Sequence, residues 1–148
     1  MLGIIGAMDE EVDQIKEKMT GVQVKEKASM KFFRGKLSGK DVVVVRSGIG
    51  KVNAGICAQI LADDYQVDGI INTGIAGSLR AEINIGDIVI STDAVQHDMD
   101  AVAFGYPYGQ IPRMEVLSFP ADAALMGAAE ESCKAVLPEL GTFKGRVA

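Results

Sequence analysis

Three consecutive carboxylates, Asp9-Glu10-Glu11, follow the first apolar run of the chain and open a periodic segment. Met8, Val12, Ile15 and Met19 recur at steps of four, three and four, which is one face of a helix. In the first turn of a helix, carboxylates complement the dipole, worth about 0.3–1 kcal/mol each. That is one reading. The other is chemical: a carboxylate bordering an apolar stripe is partly desolvated, more basic, and able to accept a proton from a reacting group. Glu10 points away from the stripe. Glu11 borders it, three residues after Met8 and four before Ile15, and Asp9 lies on the other border. Spacing thus sets Glu10 aside and leaves Asp9 and Glu11 both open.

Two glycine loops invite a phosphate reading. Gly48-Ile49-Gly50-Lys51 has Val45 where a Walker loop needs its first glycine and Val52 where it needs Ser or Thr. Asn53 stands where a dinucleotide fingerprint needs its third glycine. A tight strand-to-helix turn accounts for the loop. Gly74-Ile75-Ala76-Gly77 allows a close backbone approach, either by a neighbouring helix or by a ligand. Loops at the carboxyl ends of parallel strands are the usual ligand sites of α/β sheets. His97, the only histidine, lies beside Asp98 and Asp100; with no second His and no nearby Cys it makes a poor zinc site. A loop histidine hydrogen-bonded to a carboxylate fits better, and no catalytic triad is legible.

These residues need positioning elements. Leu2 to Ile5 reads as a buried strand stopped by Gly6, followed by the striped helix, which Gly21 closes. Val22 to Leu37 reads as two strands with a tight connection, Gly39-Lys40 as a turn, and Asp41 to Arg46 as a buried strand. Lys51 to Asp64 forms a second helix marked by Val52, Ile56, Ile60 and Leu61. Gly69 to Gly74 is a third central strand and Gly86 to Ser91 another. His97 to Arg113 is a long aperiodic loop with Phe104, Tyr106 and Tyr108, of the kind that usually has a function. A third helix runs from about Ala121 to Val136, between Pro120 and Pro138. Alternating strands and helices predict a mostly parallel or mixed sheet flanked by helices in a single domain, residues 1–148. Phe143 to Ala148 begins as a strand and stops, which suggests that the natural domain continues.

Composition narrows the partners. The 148 residues are 48% apolar and 24% charged, a globular balance, with a net charge of −5 and no basic stripe, which disfavours nucleic acid. No apolar run is long enough for a membrane, and the early acids exclude a signal peptide. Cys57 and Cys133 read as free, buried thiols of a cytoplasmic protein.

Taken together, the motifs resemble the 5′-methylthioadenosine/S-adenosylhomocysteine nucleosidases. The resemblance is carried in order by Gly3-Ile4-Ile5-Gly6-Ala7-Met8-Asp9-Glu10-Glu11-Val12, Ser47-Gly48-Ile49-Gly50-Lys51-Val52-Asn53-Ala54, Ile71-Asn72-Thr73-Gly74-Ile75-Ala76-Gly77 and Gly86-Asp87-Ile88-Val89. His97-Asp98, Ala103-Phe104-Gly105-Tyr106 and Gly109-Gln110-Ile111-Pro112 extend it. It implies a three-layer nucleoside phosphorylase-like α/β fold, a cytoplasmic homodimer, a role in methionine salvage, and hydrolysis of an adenine N-glycosidic bond without metal or cofactor. It also implies roles: Glu11 activates the water, Met8 and Ile49 flank the ribose and its 5′-alkylthio group, and Ala76 with Gly77 lines the nucleoside. Ala101, Phe104, Tyr106 and Pro112 belong to a loop that a partner subunit lends to the 5′ pocket.

The chain departs from the family in three places. Ile75 stands where many members have Ser, and Ala101 where a larger aliphatic is familiar. The Asp that protonates adenine, the Met-Glu pair that holds the ribose and the Phe-Ile stretch that holds the base have no counterpart before Ala148, so the 148 residues alone are expected to turn over poorly. The rival expectations are a nucleoside phosphorylase of the same fold and a non-catalytic nucleoside-binding or dimerising fragment.

Overall fold

The computed structural model describes residues 1–148, which divide into two compact units, Met1–Gly77 and Ser78–Ala148. The first unit opens with strand β1 (Leu2–Gly6) and helix α1 (Asp9–Glu17). Strands β2 (Thr20–Lys27), β3 (Met30–Leu37) and β4 (Lys40–Arg46) follow, then helix α2 (Lys51–Tyr65) and strand β5 (Gly69–Asn72). Its sheet has the order β2-β3-β4-β1-β5, antiparallel from β2 to β4 and parallel across β4, β1 and β5.

Side-chain alternation explains the layering. In β1 and β4, Ile4, Val42 and Val44 face one side and pack with Val12 of α1 and with Met19. Ile5, Val43 and Val45 face the other, with Met30 and Phe32 of β3 and Cys57, Ile60 and Leu61 of α2. A period of two along each strand therefore supplies both cores, with a helix over each face. The second marker of α2 is less regular: Ile60 and Leu61 are buried, whereas Val52 and Ile56 are exposed.

Several boundaries differ from the sequence expectation. Helix α1 ends at Glu17 with Lys18 as its cap, and Met19 reaches the core from the turn that follows. Gly21 does not close the helix; it lies inside β2 at a register shift, with φ of 63°. The β2–β3 connection is Ala28-Ser29, with φ of 52° and 60°, and the β3–β4 connection is Ser38-Gly39, with φ of 48° and 79°. Positive φ at both central positions matches the right-handed twist of hairpin strands. Lys40 belongs to β4, so the turn sits one residue earlier than expected.

In the second unit, β6 (Ile88–Ala94) pairs antiparallel with β7 (Phe119–Pro120) and parallel with β8 (Thr142–Val147). Helix α3 (Ala123–Val136) packs beside β6 and β8, capped by Asp122, whose side chain accepts from the Leu125 N–H at 2.9 Å. The expected strand near residue 88 thus belongs to a second, three-stranded sheet, and the segment after Phe143 completes β8. Between β6 and β7 the long loop contains one short 3₁₀ turn, Val102–Phe104. No helix is long and apolar enough to cross a membrane.

Candidate active site

The parallel strands β4, β1 and β5 deliver three loops to one end of the first sheet: Ser47–Gly50, Ala7–Met8 and Thr73–Gly77. Ser47 ties two of them, its N–H donating to the Gly6 carbonyl at 2.9 Å, and the Thr73 N–H donates to the Ile5 carbonyl at 2.9 Å. Between the loops after β1 and β5 lies an open cleft of about 490 Å³, lined by Met8, Glu10, Glu11, Thr73, Gly74 and Ile75.

The structure separates the two carboxylates that spacing left open. Asp9 turns to cations: its Oδ1 lies 3.3 Å from Arg46 Nε and 3.9 Å from Lys16 Nζ. Glu11 turns to the main chain. Its Oε2 accepts from the Ala7 N–H at 2.7 Å and the Met8 N–H at 3.0 Å, and its Oε1 accepts from the Ile75 N–H at 3.1 Å. The bond from Met8, the extended N-cap residue of α1, also closes one half of a capping box. A carboxylate offers about four acceptor sites. Three are occupied, and the fourth, on Oε1, remains for one further donor.

The electrostatic expectation needs correcting. Desolvation raises the Glu11 pKa and is the largest single influence, as the apolar border suggested. The N–H donors of Met8, Ile75 and Ala7 together outweigh it and hold the carboxyl below its ordinary value. Glu11 is therefore a firmly ionised carboxylate and not a strengthened base.

Of the residues implied by resemblance, Met8 lines the cleft with Glu11. Ile49, 74% exposed, sits in the loop after β4 at the same sheet end, and Ala76 and Gly77 continue the exposed loop after β5. In the second unit Ala101 is buried, Phe104 and Pro112 are exposed, and Tyr106 accepts from the Arg113 N–H at 3.2 Å through its hydroxyl. His97 is exposed, and nowhere do three or more His, Cys, Asp or Glu side chains converge as metal ligands. Sequence reasoning missed the three N–H donors and the packing of Glu11 on Gly6, whereas the close approach expected at Gly74 is made by Glu11 of the neighbouring helix α1. The available signal was that both β1 and β5 run into glycine.

Known proteins resemble this chain over most of its length. The curated 5′-methylthioadenosine/S-adenosylhomocysteine nucleosidase of Staphylococcus haemolyticus is 49% identical over 130 residues, 88% of this chain and 57% of that protein. The Staphylococcus aureus nucleosidase is 52% identical over 116 residues, 78% of this chain and 51% of its own. The chain thus spans about half the length of the curated relatives it matches. Among solved structures, the Colwellia psychrerythraea nucleosidase in complex with adenine superposes with a TM-score of 0.94 at 42% identity, covering 98% of this chain and 60% of that one. The Neisseria meningitidis nucleosidase with methylthio-immucillin-A gives 0.93 at 34%, covering 98% and 62%. These likenesses establish the nucleoside phosphorylase-like α/β fold. The family model of the phosphorylase superfamily matches residues 1–148 in full, and the chain belongs to that superfamily.

Proposed function

We propose that the whole protein hydrolyses the N-glycosidic bond of 5′-methylthioadenosine and S-adenosylhomocysteine, releasing adenine, with Glu11 holding the attacking water. The observation that carries this reading is the Glu11 carboxylate at the cleft, fixed by three main-chain donors with one acceptor site left on Oε1. The names of the staphylococcal relatives, and the adenine and immucillin bound by the two solved neighbours, support the substrate class.

A firmly ionised carboxylate suits this chemistry. Glycosidic cleavage passes through an oxocarbenium-like state, with the C1′–N bond largely broken before water bonds to carbon. Water then needs orienting more than deprotonating, because it becomes strongly acidic only as the C–O bond forms. At that point even a weakly basic carboxylate accepts the proton. The negative charge of Glu11 also stabilises the cationic sugar. In the bound state Met8 and Ile49 flank the ribose and the 5′-alkylthio group, and the Ala76-Gly77 backbone lines the nucleoside.

The same proposal takes residues 1–148 as part of one nucleosidase domain that works as a homodimer. Ala101, Phe104, Tyr106 and Pro112 then enter the partner's 5′ pocket. Two free cysteines support a reducing, cytoplasmic setting, and the substrates support a place in methionine salvage.

Glu11→Gln in the whole protein is expected to cut adenine release by about 10²–10⁴-fold. Added phosphate is expected to leave the wild-type rate unchanged, which separates hydrolysis from phosphorolysis. A Glu11→Gln protein as fast as wild type would overturn the proposal.

A further inference from the structure

The strand-end glycines offer the most telling geometry in the first unit. A Cβ built on Gly74 would lie 2.7 Å from the Glu11 Cδ and 3.1 Å from its Oε2, and closer still to Oε1. A Cβ on Gly6 would lie 2.7 Å from Cγ1 of Val12, 3.0 Å from Cβ of Glu11 and 3.4 Å from its Oε2. Neither glycine has the left-handed φ that would call for glycine on conformational grounds, in contrast to Gly48 and Gly50 of the neighbouring loop, at 85° and 102°. The space above residues 6 and 74 is thus filled by one side chain, Glu11, with Val12 sharing the Gly6 side.

We infer that Gly74 is a positioning residue for the Glu11 carboxylate: its bare Cα lets the carboxylate settle onto the end of β5 within reach of the Ile75 N–H. Gly6 does the same from the β1 side, where it also admits the first turn of α1. The carboxylate is a rigid group held by main chain on both sides, so an added methyl at 74 cannot be absorbed by the far end of a flexible chain. Glu11 must rise from the strand end, and the Ile75 bond is the first to go. This inference rests on the hydrolytic reading above, because it concerns the placement of the same carboxylate.

The test is Gly74→Ala in the whole protein, beside Glu11→Gln and a control, Gly55→Ala, whose new Cβ meets nothing within 4 Å on α2. A displacement of about 1 Å can cost on the order of 10²-fold in rate. Gly74→Ala is expected to lower kcat by about that factor with KM changed only a few-fold. It should also move the acidic limb of kcat/KM upward, toward that of an ordinary glutamate. Of the charged side chains around the site, Glu10 lines the same cleft and Asp9 pairs with Arg46 at the end of β4, and none of them is altered by the substitution. Gly55→Ala is expected to behave as wild type. Wild-type kcat and an unmoved limb for Gly74→Ala would overturn the inference. Should Gly74→Ala fail to fold, Glu11→Asp, one methylene shorter, is expected to restore folding in the same chain. Failure of that rescue would equally overturn it. An inactive Glu11→Gln beside a fully active Gly74→Ala would sink this inference alone, whereas an active Glu11→Gln would sink the hydrolytic reading.

Discussion

Glu11 shows how local chemistry can reverse an argument from position. Its place beside Met8 and Ile15 suggests a carboxyl made more basic by apolar neighbours, and desolvation is indeed the largest single influence on it. Three N–H donors converge on it nevertheless, and each favours the charged form. Two come from residues only three and four positions away, and the third, from Ile75, is 64 residues distant. The pH dependence follows with a definite sign. The folded value lies below the ordinary 4.5, so Glu11 is ionised at neutrality and its protonation is centred at a lower pH than that of an ordinary glutamate. Its contribution to stability has the same course, present above the unfolded value and lost as pH falls through the folded one. In the whole protein, the Glu11-dependent acidic limb of kcat/KM is expected to be centred below pH 4.5, measured as adenine release across pH at low substrate. A Glu11 limb near pH 6 would contradict the hydrogen-bond geometry. Little of this was legible in the sequence: helical spacing could reject Glu10, but the choice of Glu11 over Asp9 depends on Arg46 and Ile75, which only the sheet brings near.

At the scale of elements, the legible features were those governed by alternation and by long apolar runs. Val42 to Val45 reads as a strand buried on both faces, and it is. Local punctuation was harder. Gly21 looks like a helix stop but serves a strand irregularity, because α1 closes on Lys18 through ordinary main-chain bonds to the Ile15 and Lys16 carbonyls. The hairpin turn Ala28-Ser29 has none of the Asn or Gly that normally announces positive φ, so its exact place could not be read. The second sheet was hidden for another reason. β7 has two residues, and β8 joins β6 from more than fifty positions away, with Arg146 Nη2 2.6 Å from Asp93 Oδ2 across the pair. The Arg146 guanidinium, with help from Ser118 and Thr92, holds the Asp93 carboxyl at about 2. That stabilisation is complete above the ordinary carboxylate value of 3.8 and is lost as pH falls through about 2. Arg146→Ala is therefore expected to raise the pH at which the β6–β8 sheet opens in acid, followed by hydrogen exchange of its amides.

Across the molecule, the two cysteines report separately on the two compact units. Cys57, on α2, is fully buried in the first core, and burial pushes its thiol up to about 11. Cys133, on α3 in the second unit, is only half-buried, so the expectation of two buried thiols holds for one of them. A thiolate is the reactive form. At pH 8, a maleimide or disulfide reagent is expected to label Cys133 in the native protein and Cys57 only after denaturant opens the first unit, read by mass spectrometry of the modified peptides. Equal labelling of both in the native state would contradict the packing of α2. The same first unit has one more property that follows from its strand order. Within residues 1–148, β5 is a strand of four residues at the end of its sheet, hydrogen-bonded to β1, and Gly74 and the Ile75 donor follow at its exit. Edge strands open at lower cost than interior ones. In residues 1–148, warming is therefore expected to loosen the main-chain hold on the Glu11 carboxylate before the valine core melts, read as early hydrogen exchange of the Ile75 amide.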